Sequence, residues 1–304
     1  MSTIVLSPKQ LDRAVSLLKM GEPVAIPTET VYGLAAPLFN KEDVKKIFFL
    51  KGRPADNPLI AHVSSLDMVE RIADTNVPYF RLLSERFWPG PLTLVLQKKE
   101  VVSSLVSGGH STIAVRMPSH KIALSLIAAM EEPLVAPSAN ISGKPSPTCV
   151  AHVLEDFMGR LAAVIDGGEC SLGIESTVLS LVHPTPLLLR PGSLTREQLE
   201  EVLNLEIELP NEDTPLHSPG MKYRHYAPKA PIRVVSSRMD ICGSFVLSRD
   251  CIPPHVHRPL NAKTFYAYLR EADRLGVDGI WVMLDPISAS DDALMNRLLR
   301  AAGQ

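Results

Sequence analysis

Short apolar runs recur along the first two hundred residues, and polar loops separate each from the next. "PVAIPT", "NPLIAHV", "PLTLVLQ", "TIAVRMP", "PLVAPS", "AAVIDGG", "STVLSLV" and "PLLLRPG" are short, bounded by turn residues and rich in β-branched side chains, so they read as strands. Helix patterns near 79–87, 120–130, 148–158 and 195–203 separate some of them, and another runs from about Lys41 to Leu50 behind the cap Asn40. A capping box with proline at the first helical position, Ser7-Pro8-Lys9-Gln10, opens the first helix. Its Leu11, Val15 and Leu18 share a face, and Gly21 stops it. Strands alternating with helices predict an α/β domain with a sizeable twisted sheet over residues 1–209.

Apolar periodicity stops after the acidic "LEIELPNEDTP" and restarts at "IRVVSS" and "SFVLS". The amphipathic "AKTFYAYLREADRLGV", the apolar "DGIWVML" and the closing "ALMNRLLRAAG" complete a β-β-α-β-α order. That order predicts a small Rossmann-like, doubly wound unit over 231–304. The connection, residues 210–230, contains "SPGMKYRHYAPKAP". A tether needs only Gly, Ser and solvated charge, yet this one packs Met221, Lys222, Tyr223, Arg224, His225 and Tyr226 in succession.

The 31 basic and 33 acidic side chains nearly cancel, so no global field draws the chain to nucleic acid or an anionic membrane, and any polyanion must be met locally. No stretch approaches the length of a membrane span and the N-terminus lacks a signal-peptide pattern, so the expected location is the cytoplasm. Cys149, Cys170, Cys242 and Cys251 are scattered without a zinc spacing. "SANISGKPS" only imitates a P-loop, because Ser138 replaces the first glycine and Pro145 the hydroxyl residue after Lys144.

Chemistry-bearing residues instead gather where strands end. "IPTETVYGLAA" places Thr28, Glu29, Thr30 and Tyr32 after a strand, with Gly33 free to bring backbone N–H groups near a ligand, or else forms a polar turn into the next segment. "LKGRPADNPLIAHV" sets Lys51 and Arg53 past a helix, suited to phosphate oxygens or simply to the helix dipole, with Asn57 and His62 following. Arg116 lies in an apolar strand, where an unpaired guanidinium is costly, so it requires a protein carboxylate or a substrate carboxylate. "APSANISGKPSPT" offers Ser138, Asn140, Ser142, Ser146 and Thr148. Ser176, Thr177 and Arg190 repeat the pattern downstream.

"PTETVYGLAA", "KGRPADNPL", "FWPGPLT", "AVRMPSH", "APSANISGKPSPT", "GIESTV", "LRPGSLT" and "SPGMKYRHYAP", in this order, resemble the YrdC family in its long, two-domain threonylcarbamoyl-AMP synthase form; the likeness spans nearly the whole chain. The resemblance implies a nucleotidyltransferase that makes L-threonylcarbamoyl-AMP and pyrophosphate from L-threonine, bicarbonate or CO2, and ATP. The product would be handed to a complex that threonylcarbamoylates the tRNA adenosine next to the anticodon, with weak or no direct RNA binding here. Carried over by position, Thr30, His62, Arg116, Ala136 and Ser176 would line the threonine site. Lys51, Arg53, Asn57, Thr112, Ser138, Asn140, Ser146, Arg190 and Tyr226 would hold ATP, with Lys51 and Arg53 supplying catalytic charge. Mg2+ would be held mainly by ATP phosphates and water, without a protein-built cage. Residues 218–231 would close over the nucleotide as a lid. Competing readings are an RNA-binding or ribosome-maturation module without nucleotide turnover, and a carbamoyl-transfer enzyme of hydrogenase maturation. The latter also carries an acylphosphatase-like domain and CxxC pairs, neither of which appears in this sequence.

Overall fold

A computed structural model describes residues 2–211, 225–252 and 256–303. Ten strands form one mixed sheet: β1 (Ile4–Leu6), β2 (Val24–Ile26), β3 (Gly33–Pro37), β4 (Ile60–His62), β5 (Leu92–Gln97), β6 (Thr112–Arg116), β7 (Leu134–Val135), β8 (Ala163–Ile165), β9 (Thr177–Ser180) and β10 (Leu187–Arg190). Their order across the sheet is β1-β8-β2-β3-β7-β4-β6-β5-β9-β10. The second sheet is parallel throughout, β11 (Ile232–Val235), β12 (Phe245–Ser248), β13 (Val256–Pro259) and β14 (Ile280–Met283), in the order β11-β14-β12-β13. Both match the α/β reading. Among the described residues no helix is long and apolar enough to cross a membrane.

Register is what builds the functional face. β4 runs parallel to β6 with His62 opposite Arg116, and β5 runs antiparallel to β6 with Thr93 opposite Arg116. β9 joins the far side of β5, pairing Leu92 with Thr177, so Ser176 arrives beside Thr93. The Thr28–Tyr32 connection joins the antiparallel β2 and β3. Behind these elements, Leu34, Val44, Leu94, Val115 and Leu126 belong to one large buried core. The helix Lys41–Lys51 starts at Asn40, whose side chain accepts from Glu42 N and Asp43 N, and ends at Gly52 with φ +58°, a left-handed closure that glycine adopts freely. That closure sets Arg53 outside the helix.

Three strands lie outside the runs predicted from sequence: β1, β3 and β13. Gly33, expected to supply conformational freedom, has no positive φ. Its smallness matters instead, because a Cβ there would stand 3.1 Å from that of Ala136. The first capping box opens a single 3-10 turn, Pro8–Gln10, that leads into the helix Leu11–Lys19.

The small sheet packs its own core, Phe245, Leu247, Phe265, Leu269, Ile280, Val282 and Leu298, and Tyr226, Ala230 and Val31 join it. Buried ions tie this core to the large sheet. Arg270, in the helix Phe265–Leu275, sits 3.0 Å from Glu155 and 2.8 Å from Asp156 and donates to Pro145 O at 2.6 Å. Removing one member of such a buried set strands the other charge. Arg270→Met is expected to lower the unfolding free energy by about 3 kcal/mol in denaturant titrations. A loss below about 1 kcal/mol would show that Lys144, 2.7 Å from Asp156, satisfies that carboxylate alone.

His152 lies under the same contact, its Nδ1 accepting from Thr148 N at 3.3 Å. Burial, then the charge of Arg270, holds its pKa down to about 4. The unfolded chain protonates this imidazole below about pH 6.5 while the folded chain does not, so its stabilisation is complete above that pH and is lost as pH falls toward 4. His152→Gln is therefore expected to flatten the fall of Tm between about pH 6.5 and 4, and an unchanged slope would contradict the assignment.

Candidate active site

A cleft, continuous with solvent, opens where β4, β6 and the end of β10 meet the loops after β2 and β7 and the residues that lead into β9. At its inner end Arg116 is buried, with Nε donating to Gly90 O at 3.3 Å, Nη1 to Thr30 Oγ1 at 2.8 Å, and Nη2 standing 2.7 Å from Glu29 Oε1. The anionic partner required by Arg116 is thus a protein carboxylate. A guanidinium carries five N–H groups, so donors remain for a ligand. Burial works to raise the Glu29 pKa, but the charge and hydrogen bond of Arg116 outweigh it and the carboxyl rests below its ordinary value.

His62, Ala136 and Ser176 line the cleft beside Arg116 and Thr30, so all five residues expected around threonine converge. Burial, reinforced by Arg116, pushes the His62 pKa down to about 3. The ring is neutral at physiological pH, and its Nδ1 lies 3.2 Å from Ile60 O. Ser176 Oγ is 2.7 Å from Thr93 Oγ1, and Arg190 donates to both Ser176 O and Ser176 Oγ.

Of the residues expected at ATP, Arg53, Ser138, Asn140, Arg190 and Tyr226 line the cleft, while Lys51, Asn57, Thr112 and Ser146 are buried and do not line it. Asn57 holds Arg53: its side-chain and backbone oxygens accept at 2.7 and 3.1 Å. Lys51 is 1% exposed and donates to Ser138 O and, at 2.7 Å, to Asn140 O, so its ammonium tethers the "APSAN" loop. Burial first, then Arg53, holds the Lys51 pKa well below the lysine range. Asn140 Oδ1 is buried without a hydrogen-bond partner, an acceptor available to a ligand. Ser146 is fully buried and donates to Glu175. Thr112 begins β6, at the opposite end of that strand from Arg116.

Residues 212–224, which take in the first half of the expected lid and include Lys222, Tyr223 and Arg224, lie outside the described residues. His225 and Tyr226 are described and line the cleft. Tyr226 is buried with φ +65°, and Ala227 N donates to Gly143 O at 2.7 Å, which pins this backbone to the "ISGK" loop. Among the described residues no three His, Cys, Asp or Glu side chains gather as a metal cage. The carboxylates at the cleft, Glu29 and Glu175, each face an arginine.

A family profile described as "Telomere recombination" (Sua5, YciO and YrdC proteins) matches residues 16–192, and one described as "Threonylcarbamoyl-AMP synthase, C-terminal domain" matches 194–243 and 259–303. The chain belongs to the Sua5/YciO/YrdC family, in its long two-domain form. Its family relatives include a threonylcarbamoyl-AMP synthase of Pyrococcus abyssi, 44% identical with 95% of this chain and 93% of the relative covered. One from Bacillus subtilis is 41% identical, with 97% and 93% covered. A solved structure of P. abyssi Sua5 complexed with L-threonine superposes with a TM-score of 0.90 at 42% identity, covering 99% of this chain and 98% of that one. Relatives this similar, named as synthases, make the chain an enzyme.

Thr93 and Glu175 were not singled out from sequence, and Glu29 was read only as part of a ligand-contact or polar-turn loop, not as the partner of Arg116. A lone threonine inside the apolar "PLTLVLQ" was the available signal for the first. Glu175 gave none, since its partners come from distant segments.

Proposed function

We propose that this chain synthesises L-threonylcarbamoyl-AMP, acting as a nucleotidyltransferase on L-threonine, bicarbonate or CO2, and ATP. The observation that carries the reading is the polarity of the cleft. Arg116 with Thr30 and His62 lines the same cleft as Arg53, Arg190, Ser138 and Asn140, and Ser176 joins the two groups because Arg190 donates to it. The relative crystallised with L-threonine supports it.

Threonine's carboxylate pairs with Arg116. Its neutral amine takes up CO2 to give a carbamate and a proton; starting from bicarbonate, one water is formed instead and no proton is released. A carbamate oxygen then bonds to the α-phosphorus as the bond to the β-phosphate bridging oxygen breaks, and pyrophosphate leaves. Such transfers depend on positioning and charge neutralisation. Arg53 and Arg190 supply fixed positive charge, Asn57 orients Arg53, and Lys51 fixes the loop carrying Ser138 and Asn140. Mg2+ would be held by phosphate and water oxygens and would supply charge neutralisation for the leaving pyrophosphate. His225 and Tyr226 close one wall against water, which protects the carbamate and the mixed anhydride. The product then serves threonylcarbamoylation of tRNA by a separate transfer complex.

Mass detection of the adenylate, using 13C-bicarbonate, tests the reading. A product carrying the label and requiring threonine and ATP is expected. RNA affinity that falls steeply with salt, with no adenylate formed, would favour the RNA-binding alternative instead.

A further inference from the structure

The small-sheet unit inserts a buried cation behind the wall of the cleft. Arg297, in the helix Asp292–Ala302, is 0% exposed, and its Nε lies 2.8 Å from Glu175 Oε2. Tyr266 Oη donates to that same oxygen at 2.7 Å, and Ser146 Oγ donates to Oε1 at 2.6 Å. Glu175 lines the cleft next to Ser176, Arg190 and Tyr226. The Arg297 guanidinium carbon also stands 5.6 Å from the centre of the Tyr226 ring, and that ring packs on Tyr266 with centroids 5.3 Å apart.

A carboxylate is an unexpected neighbour for a triphosphate, because two anions sharing one buried wall repel unless something compensates. The compensation comes mostly from the other unit. We propose that Arg297 is a positioning residue of the ATP site: by neutralising Glu175 from behind, it makes this wall acceptable to a triphosphate, so the C-terminal unit sets nucleotide affinity without touching the nucleotide. The proposal rests on the reading that ATP occupies this cleft.

The surroundings of Glu175 define what its loss would do. Arg297 and Tyr266 face it directly, Arg190 reaches it from β10, and His225 and Tyr226 feel its charge from the linker. Arg300, on the same helix as Arg297, acts on Tyr226. Burial works to raise the Glu175 pKa, and Arg297, then Arg190, outweigh it and keep the group ionised. With Arg297 gone, Arg190 becomes the nearest compensating cation, and it is itself one of the groups expected at ATP.

Pyrophosphate-release kinetics on wild type, Arg297→Met, Arg297→Lys, Glu175→Gln and the double variant test this. Arg297→Met is expected to raise the KM for ATP by about tenfold or more at pH 8 while moving the KM for threonine less than about threefold. The rise should shrink toward pH 6 as the uncompensated Glu175 takes up a proton. Adding Glu175→Gln should recover most of the ATP affinity, and Arg297→Lys should retain it better than Arg297→Met. A double variant as impaired as Arg297→Met, or parallel rises in both KM values at every pH, would show a merely structural role and overturn the proposal. Should Arg297→Met fail to fold by circular dichroism, Glu175→Gln decides: a lower KM for ATP supports the proposal, and a tenfold rise overturns it. Wild-type protein that neither binds ATP nor releases pyrophosphate removes the nucleotide reading and this proposal together, whereas wild-type turnover with the contrary variant pattern removes this proposal alone.

Discussion

Arg116→Ala should reduce kcat/KM for threonine roughly a thousandfold, because two charge-assisted hydrogen bonds to the substrate carboxylate are lost. A second effect compounds the first. Glu29 is 6% exposed and stands 2.7 Å from the lost guanidinium, so its charge is left buried and unpaired at a cost of about 3 kcal/mol or more. The two effects separate in the double variant Glu29→Gln/Arg116→Ala, which should regain stability in denaturant titrations without regaining threonine affinity. Arg116→Lys keeps the charge and loses the planar fork, and should remain at least about tenfold impaired. Full turnover by Arg116→Ala would mean that the threonine carboxylate sits elsewhere.

Lys51→Met carries the second large effect, and it acts through the loop. The ammonium donates to Ser138 O and Asn140 O; methionine leaves the Asn140 carbonyl unsatisfied, at about 1 to 3 kcal/mol, and leaves Ser138 O with only its bond from Asn140 N. Ser138 and Asn140 line the cleft and belong to the proposed ATP set, so loosening their loop should reach ATP first. Calorimetric titration is expected to show ATP affinity reduced about a hundredfold, with threonine affinity changed far less. Equal loss of both ligands would indicate collapse of the whole cleft, and unchanged ATP affinity would free the loop from its dependence on Lys51.

Most strands and the long helices were readable because β-branched runs and capped amphipathic stretches carry their own signal. β3 carried none: "GLAAP" lacks β-branched residues and alternation, and is held as a strand by pairing with β2 and β7. β13, "VHRP", is a polar edge strand ending in proline, which turn chemistry describes equally well. Individual cleft residues were visible as hydroxyls and cations at strand ends. Their meeting depends on register, such as His62 opposite Arg116, which a single sequence leaves open. Lys51 looked like a phosphate contact from its place beside Gly52, and only the docking of the Ser138 loop turns it inward. Glu175 and Arg297 are 122 positions apart, and a lone arginine on an amphipathic helix reads as solvated until two units pack together.

The central claim is that one cleft joins threonine, CO2 and adenylate. Initial rates of pyrophosphate release, with threonine and bicarbonate each supplied or withheld in CO2-depleted buffer, test it most directly. The account predicts release only when both accompany ATP, with one adenylate formed for each pyrophosphate. Release that proceeds from ATP and threonine alone, or no release from the complete mixture with folded protein and Mg2+, would contradict it.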